Sequence, residues 1–357
     1  MKNILVTGGA GFIGANFIHF ELQKHKEIKI INLDALTYAG NPLNLEKVPD
    51  PGRYNFIHGD IRDRKLVRRL LEEFQVDTLV HFAAETHVDR SINNAQPFLD
   101  TNIQGTFALL EASREYYFSG SSLPEFLFHH ISTDEVFGSL NPNDPPFSES
   151  TPYAPNSPYA ASKAASDHLV HAFHHTYGLP VTLSNCSNNY GPYQFPEKLI
   201  PLIISNALAG KVLPVYGDGM QVRDWLYVVD HCEAIDLILR GGRTGETYNI
   251  GGNNQPANIE IVRNICHILD HLAPGSRRYE ELIQFITDRP GHDRRYAMDT
   301  EKITRELGWV PRESLETGLQ KTVAWYLKNQ EWVRSIYNRP DYQSWLGEHY
   351  GTRGGTQ

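Results

Sequence analysis

Thr7-Gly8-Gly9-Ala10-Gly11-Phe12-Ile13-Gly14 decides how this chain folds. The octet follows an apolar run at 3–7 and opens an amphipathic stretch at 12–24. Glycines at 8, 11 and 14 allow a tight turn, a close approach of backbone to a pyrophosphate, and tight packing of helix on strand. The helix N-terminus that follows, with Phe12 and Ile13 in its first turn, offers amide donors to phosphate. A second apolar run, 28–33, ends on Asp34, 20 residues after Gly14. A carboxylate there binds a ribose 2′-hydroxyl and repels a 2′-phosphate, so NAD is expected in preference to NADP.

Outward from this loop the first half keeps alternating. Strands are expected at 54–58, 78–82, 126–131 and 181–185, and helices at 65–74, 98–116 and 159–177. Such alternation predicts an α/β fold, a Rossmann-type doubly wound parallel sheet with helices on both faces. Ligands on such sheets sit at the carboxyl ends of the strands. Asp60-Ile61, Phe82-Ala83-Ala84 and Thr133-Asp134-Glu135 all fall there, the first two on the cofactor side. After about residue 186 the pattern loosens into loops around shorter helices at 197–208, 230–240, 259–272 and 313–337. The expected division is a cofactor lobe, 1–185, to which 224–250 returns. A smaller mixed α/β substrate lobe takes 186–223 and 251–345, and a tail takes 346–357.

Two stretches carry chemistry. Ser132-Thr133-Asp134-Glu135-Val136-Phe137-Gly138 sets a hydroxyl and two adjacent carboxylates at the end of an apolar strand. Tyr159-Ala160-Ala161-Ser162-Lys163 sets a tyrosine and a lysine four apart, on one helix face. A phenol with a pKa of about 10 is a poor base at neutral pH. The Lys163 ammonium and a nicotinamide's positive charge are expected to lower it. Two carboxyl groups in unequal surroundings can divide into an acid and a base. One then donates to a leaving hydroxyl while the other removes a carbon-bound proton, and Thr133 can donate to the oxygen that Tyr159 deprotonates. Oxidation coupled to loss of water is the reaction these residues suit. An epimerase with the same loop and Tyr/Lys pair needs no such acids, and a silent cofactor-binding protein needs none of the five.

Composition bounds the partners. A formal charge of −9 argues against nucleic acid and anionic membranes, and no apolar run approaches a membrane span. Cys186, Cys232 and Cys266 show no paired spacing, which suits a reducing compartment. A strand pattern directly at the N-terminus leaves no room for a signal peptide, so a cytoplasmic protein is expected. His168, His171 and His175 share a helix face without an acidic or cysteine partner, and no metal site is expected there.

The glycine loop, Asp34 and the Tyr159/Lys163 pair together resemble the extended short-chain dehydrogenase/reductase family. The Ser132–Gly138 stretch and Ala83-Ala84-Glu85-Thr86-His87-Val88-Asp89-Arg90-Ser91 resemble its nucleotide-sugar dehydratases. The run Asn185-Cys186-Ser187-Asn188-Asn189-Tyr190-Gly191-Pro192-Tyr193-Gln194-Phe195-Pro196-Glu197-Lys198-Leu199-Ile200-Pro201 is similar to the dTDP-glucose 4,6-dehydratases among them, and the likeness extends to about residue 326. The resemblance implies bound NAD, dTDP-glucose as substrate and a homodimer built on the helices at 98–116 and 159–177. It implies that Tyr159 deprotonates the hydroxyl at sugar carbon 4, that Glu135 takes the carbon 5 proton, and that Asp134 protonates the departing hydroxyl of carbon 6. It also assigns Thr86, Thr133, Asn188, Glu197, Lys198, Arg223, Asn258 and His292 to the nucleotide sugar, and Asn189 to the cofactor. Arg223 suits a diphosphate fork.

Overall fold

The computed structural model describes residues 1–120, 125–288, 291–340 and 342–344; the expected tail at 346–357 lies outside them. In chain order the strands are β1 (Asn3–Thr7), β2 (Lys29–Asp34), β3 (Tyr54–His58), β4 (Thr78–His81), β5 (Leu127–Thr133), β6 (Val181–Cys186), β7 (Asn188–Tyr190), β8 (Leu213–Tyr216), β9 (Trp225–Tyr227), β10 (Thr247–Ile250) and β11 (Ile283–Ile286). The helices of the first half are α1 (Phe12–Lys24), α2 (Arg64–Glu73), α3 (Val88–Asn93), the single turn α4 (Gln96–Phe98), α5 (Thr106–Phe118) and α6 (Pro158–Tyr177). Those of the second half are α7 (Leu199–Leu208), α8 (Val228–Gly241), α9 (Asn258–Leu272), α10 (Glu301–Leu307), α11 (Leu315–Lys328) and α12 (Gln330–Tyr337).

Seven parallel strands form one sheet in the order β3-β2-β1-β4-β5-β6-β10. The chain runs outward from β1 to β3 on one side and from β4 to β10 on the other. The reversal between β1 and β4 opens a crevice at their carboxyl ends. β4 and β6 are buried throughout and β1 nearly so, as central strands covered on both faces are. Alternate side chains serve opposite layers. Ile4 and Val6 pack with Phe17 and Ile18 of α1 and Ile235 of α8. Leu5 packs with Leu70 of α2, Leu109 of α5 and Val170 of α6. A third core, with Ile203 of α7, Ile265 of α9 and Val323 of α11, fills the second half.

β8, β9, β11, α3 and α10 have no counterpart among the expected elements, and three further stretches differ in kind. The helix expected at 98–116 is broken by a π-helical stretch, Leu99–Gly105, before α5. Asn102 within it makes a polar clamp: its Oδ1 accepts from the Glu85 amide at 2.9 Å, and its Nδ2 donates to the Glu85 carbonyl and to Ser162 Oγ. Widened turns of this kind often mark functional ground. The helix expected at 313–337 is two, because Asn329 leaves helical geometry (φ −111°, ψ 44°) and returns its side-chain amide to the Trp325 carbonyl. The Asn188–Tyr190 segment, expected as loop, is a strand paired with β9. β10 joins the large sheet beside β6, and α8 packs on α1.

At that α1–α8 contact Glu21 is 0% exposed, with the Arg240 guanidinium 3.9 Å away. Burial, then the neighbouring Asp236 carboxylate, raises Glu21 from 4.5 to about 8. A carboxyl raised in the folded state binds more protons there than in the unfolded chain. Its contribution is therefore complete below about pH 4.5 and is lost as pH climbs towards about 8. Glu21→Gln is expected to match the parent's melting temperature at pH 5 and to exceed it by several degrees at pH 8.5. Calorimetric melts across that range check this, and parallel curves for the two proteins would show that Glu21 does not titrate in the window.

Candidate active site

The first βα turn is forced by its neighbours. Gly8 has φ +73°, and a Cβ there would stand 2.6 Å from the Ala83 backbone. A Cβ on Gly14 would meet the Gly8 carbonyl at 2.5 Å. Asn32 and Asp34 brace the turn from β2: Asn32 Oδ1 accepts from the Gly9 amide at 3.0 Å and Asp34 Oδ2 from the Ala10 amide at 2.9 Å. α1 starts at Gly11 with no side-chain cap and no acid in its first turn. Its leading amides, with Phe12 and Ile13, are left facing a cavity of about 330 Å³. Uncapped amides at a positive helix end are the donor set a diphosphate requires.

That cavity runs from the glycine turn to Lys198, and most residues singled out in the sequence line it. On one side are Gly8, Gly11, Gly14, Asp34, Asp60 and Ile61. Phe82, Ala83 and Ala84 follow β4, with Thr86 just beyond. Thr133, Asp134, Glu135, Tyr159 and Lys163 form its middle. Asn188, Asn189, Glu197 and Lys198 close the far side. Asp60 is held by a two-pronged pairing with Arg62. Arg223, Asn258 and His292 do not line this cavity. Arg223 packs over the Tyr296 ring at 4.3 Å and donates to the Asp293 carbonyl, while His292 pairs with Asp288 at 2.6 Å. Asn258 opens α9, its amide bonded to Gln221.

The middle of the cavity is built by β5 and the turn after it. Thr133 caps that turn, accepting from the Glu135 amide at 3.3 Å and donating to Asp134 Oδ1 at 3.2 Å. Asp134 is 2% exposed; burial first, then the Glu135 carboxylate, holds its carboxyl well above the usual range. A shift in that direction favours the protonated form, the form a general acid needs. Tyr159, on α6, is also held well above 10, by burial and then by Glu135. The expected lowering by Lys163 is not supplied by the protein alone. The Lys163 ammonium turns to the Ile131 carbonyl at 2.8 Å, inside a pocket whose acids act the other way on Tyr159.

Lys198 Nζ donates to the Thr86 carbonyl at 3.1 Å, and Glu197 lies 3.4 Å from Arg90 Nε. Burial raises Glu197. The lining also includes residues given no catalytic or binding role by the sequence reading, two of them titratable with raised pKa values. Glu85 lies four residues beyond β4 with its carboxyl raised by burial, and Cys186 ends β6 with its thiol pushed up to about 12. Their signal was position, since both follow strands at the carboxyl edge of the sheet. Asn185, which begins a glycosylation-like triplet, is fully buried on β6. Among the described residues the grouping compact enough to hold a metal is Glu21, His25 and Asp236, but Lys24 at 2.9 Å and Arg240 at 2.5 Å already neutralise Asp236. No helix among the described residues is long and apolar enough to cross a membrane.

Comparison with known proteins agrees with this geometry. The family model described as GDP-mannose 4,6 dehydratase matches residues 5–322. The dTDP-glucose 4,6-dehydratase of Salmonella typhimurium is 52% identical, over 98% of this chain and 99% of its own. The crystal structure of dTDP-glucose 4,6-dehydratase from Bacillus anthracis in complex with NAD superposes with a TM-score of 0.85 at 49% identity, over 94% of this chain and all of that one. The enzyme of the same name from Streptomyces venezuelae, with NAD bound, gives 0.85 at 47%, over 94% and 99%. Matched nearly end to end at about half identity, the chain belongs to the dTDP-glucose 4,6-dehydratase family, within the wider nucleotide-sugar dehydratases of that model.

Proposed function

We propose that this chain dehydrates dTDP-glucose to dTDP-4-keto-6-deoxyglucose with NAD as its resident cofactor, a hydro-lyase step in making deoxysugars. The observation that carries the reading is Asp134, a carboxyl held neutral in the same cavity as Glu135 and Tyr159 and one βα turn from the uncapped end of α1. NAD, when bound, supplies reversible two-electron oxidation of the sugar and a positive charge in the pocket. The glycine turn and the α1 amides suit its diphosphate; Asp34 suits a ribose hydroxyl; Asp60, Ile61, Phe82, Ala83 and Ala84 flank the adenosine side, and Lys163 and Asn189 the nicotinamide side.

Tyr159 takes the proton from the carbon 4 hydroxyl while Thr133 donates to the same oxygen. Glu135 removes the carbon 5 proton, made acidic by the new ketone, and Asp134 protonates the departing carbon 6 hydroxyl. The split between a neutral Asp134 and its neighbour supports this order of roles. Thr86, Asn188, Glu197 and Lys198 take the sugar and diphosphate end of the cavity. Arg223, Asn258 and His292 take the nucleotide end, on the adjoining surface of the second lobe. Residues 1–185 with 224–250 form the cofactor lobe, and 186–223 with 251–345 the nucleotide-sugar lobe, an assignment supported by β10 in the large sheet. A cytoplasmic homodimer completes the reading, its interface on α5 and α6, where Phe107, Phe118 and Tyr177 stand exposed.

The test is incubation of the purified protein with dTDP-glucose in deuterium-enriched water, without added NAD, read by mass spectrometry. The expected product has lost one water and carries deuterium at carbon 5. An unchanged mass with dTDP-galactose appearing makes the chain an epimerase. No reaction even with NAD supplied and UDP- or CDP-glucose substituted leaves only a cofactor-binding protein.

A further inference from the structure

Beneath Tyr159 and Lys163, α6 presents a third polar residue at the same four-residue spacing, Asp167. Lys163 is 4% exposed, and His130 and Asp167 are each 0% exposed. Lys163 Nζ lies 3.2 Å from His130 Nε2, and the same nitrogen lies 3.2 Å from Asp167 Oδ1. Asp167 Oδ2 accepts from Ser132 Oγ at 2.7 Å and from the Tyr153 hydroxyl at 3.0 Å. Neither His130 nor Asp167 lines the reaction cavity, so neither touches what binds there.

We propose that Asp167, one helical turn below Lys163, is a positioning residue: the buried counter-ion that keeps Lys163 protonated and in place beside Tyr159. The proposal rests on the roles given above to Tyr159 and Lys163. An ammonium taken out of water is costly unless an opposite charge accompanies it. The titratable groups facing Lys163 are His81 on β4, His130 on β5, Cys186 on β6, and Tyr159 and Asp167 on its own helix. Burial holds both histidines well below 6.5 and pushes the thiol up to about 12, so these three are neutral near pH 7. Tyr159 is a neutral phenol in the protein alone. Asp167 is thus the carboxyl of the set: burial raises it, and the Lys163 charge and two hydroxyl donors oppose that rise and favour its ionised form. Burial draws Lys163 down to about 8, and Asp167 is the first influence opposing that fall. His130 Nδ1 has no hydrogen-bond partner among the described residues. A neutral imidazole carrying its proton there offers the Nε2 lone pair to the ammonium, while the Asp167 carboxylate acts on that ammonium by its charge across the buried space between them.

Asp167→Asn keeps an acceptor for Ser132 and Tyr153 and removes only the charge. The readout is nuclear magnetic resonance of protein labelled with [ε-¹³C]lysine, the Lys163 signal being assigned by its loss in Lys163→Arg. The titration midpoint of Lys163 is expected to fall by about one to three pH units. The alkaline limb of kcat moves the same way, with KM for dTDP-glucose unchanged. Tyr153→Phe, which loses a contact to the same carboxylate but keeps its charge, leaves the midpoint where it is. Asp167→Ser, smaller and uncharged, repeats the test should the amide variant not fold. An unmoved midpoint in the uncharged variants, or an equal shift in Tyr153→Phe, overturns the proposal. A wild-type protein that does not dehydrate dTDP-glucose overturns the functional reading instead, and the Lys163 midpoint still decides this one.

Discussion

Tyr159→Phe is expected to lower kcat for dTDP-glucose by about 10³-fold or more, within the range set by a positioned general base, while the protein keeps its fold and its substrate affinity. The phenyl ring retains the buried volume of a residue 7% exposed and its edge contact with Phe98, so melting should move little. The change removes one hydroxyl, and that hydroxyl is the group the chemistry needs. Burial and then the Glu135 carboxylate hold the phenol well above 10 when only the protein surrounds it. It becomes a base only when positive charge enters the cavity, so ionisation of Tyr159 is tied to occupancy. That coupling protects an idle site from spurious proton transfer. Rates of water loss measured by mass spectrometry at saturating substrate, beside direct binding of dTDP-glucose, check the prediction. A variant that keeps a tenth of the parent rate would remove Tyr159 from its role.

What could be read from the chain beforehand was whatever is local. The glycine turn, Asp34 and the Tyr159/Lys163 spacing are short-range patterns; the structure gathers them into one cavity, the first two at the carboxyl ends of β1 and β2 and the pair on the first turns of α6 beside β5. The fold was legible for the same reason: β1 and β4 are covered on both faces and show it in the apolar centres Ile4-Leu5-Val6 and Leu79-Val80. Illegible features depend on contacts distant in sequence. The π-helical turn exists because Asn102 reaches back 17 residues to Glu85 and across to Ser162. The break at Asn329 turns on a backbone angle that no periodicity records. Lys163 looked like the group that lowers Tyr159, but β5 offers it the Ile131 carbonyl and His130, which no helix pattern could show. Arg223 stands outside the main cavity, donating to the Asp293 carbonyl 70 residues further along, and His292, next to Asp293 in the same loop, is held by Asp288, four residues earlier.

The sharpest separation is expected between Asp134→Asn and Glu135→Gln, because adjacent carboxyls are here assigned to different bonds. Both variants should lose product formation by about 10²- to 10⁴-fold, the usual range for a missing acid or base. They differ in what happens to recovered substrate. With Glu135 intact, Asp134→Asn still allows removal and return of the carbon 5 proton, so dTDP-glucose recovered from deuterated water should gain one deuterium without losing water. With Glu135→Gln the proton is not removed, and recovered dTDP-glucose should carry none. The basis is the asymmetry of the turn after β5. Asp134 is 2% exposed, and its Oδ2 has no partner among the described residues. Glu135 is only partly buried, and its own charge helps keep Asp134 protonated. A protonated carboxyl cannot act as the base, and an ionised one cannot protonate a leaving hydroxyl. The assignment therefore fails if deuterium accumulates in substrate with Glu135→Gln and not with Asp134→Asn. That reversed pattern would make Asp134 the base and place the shared proton on its neighbour.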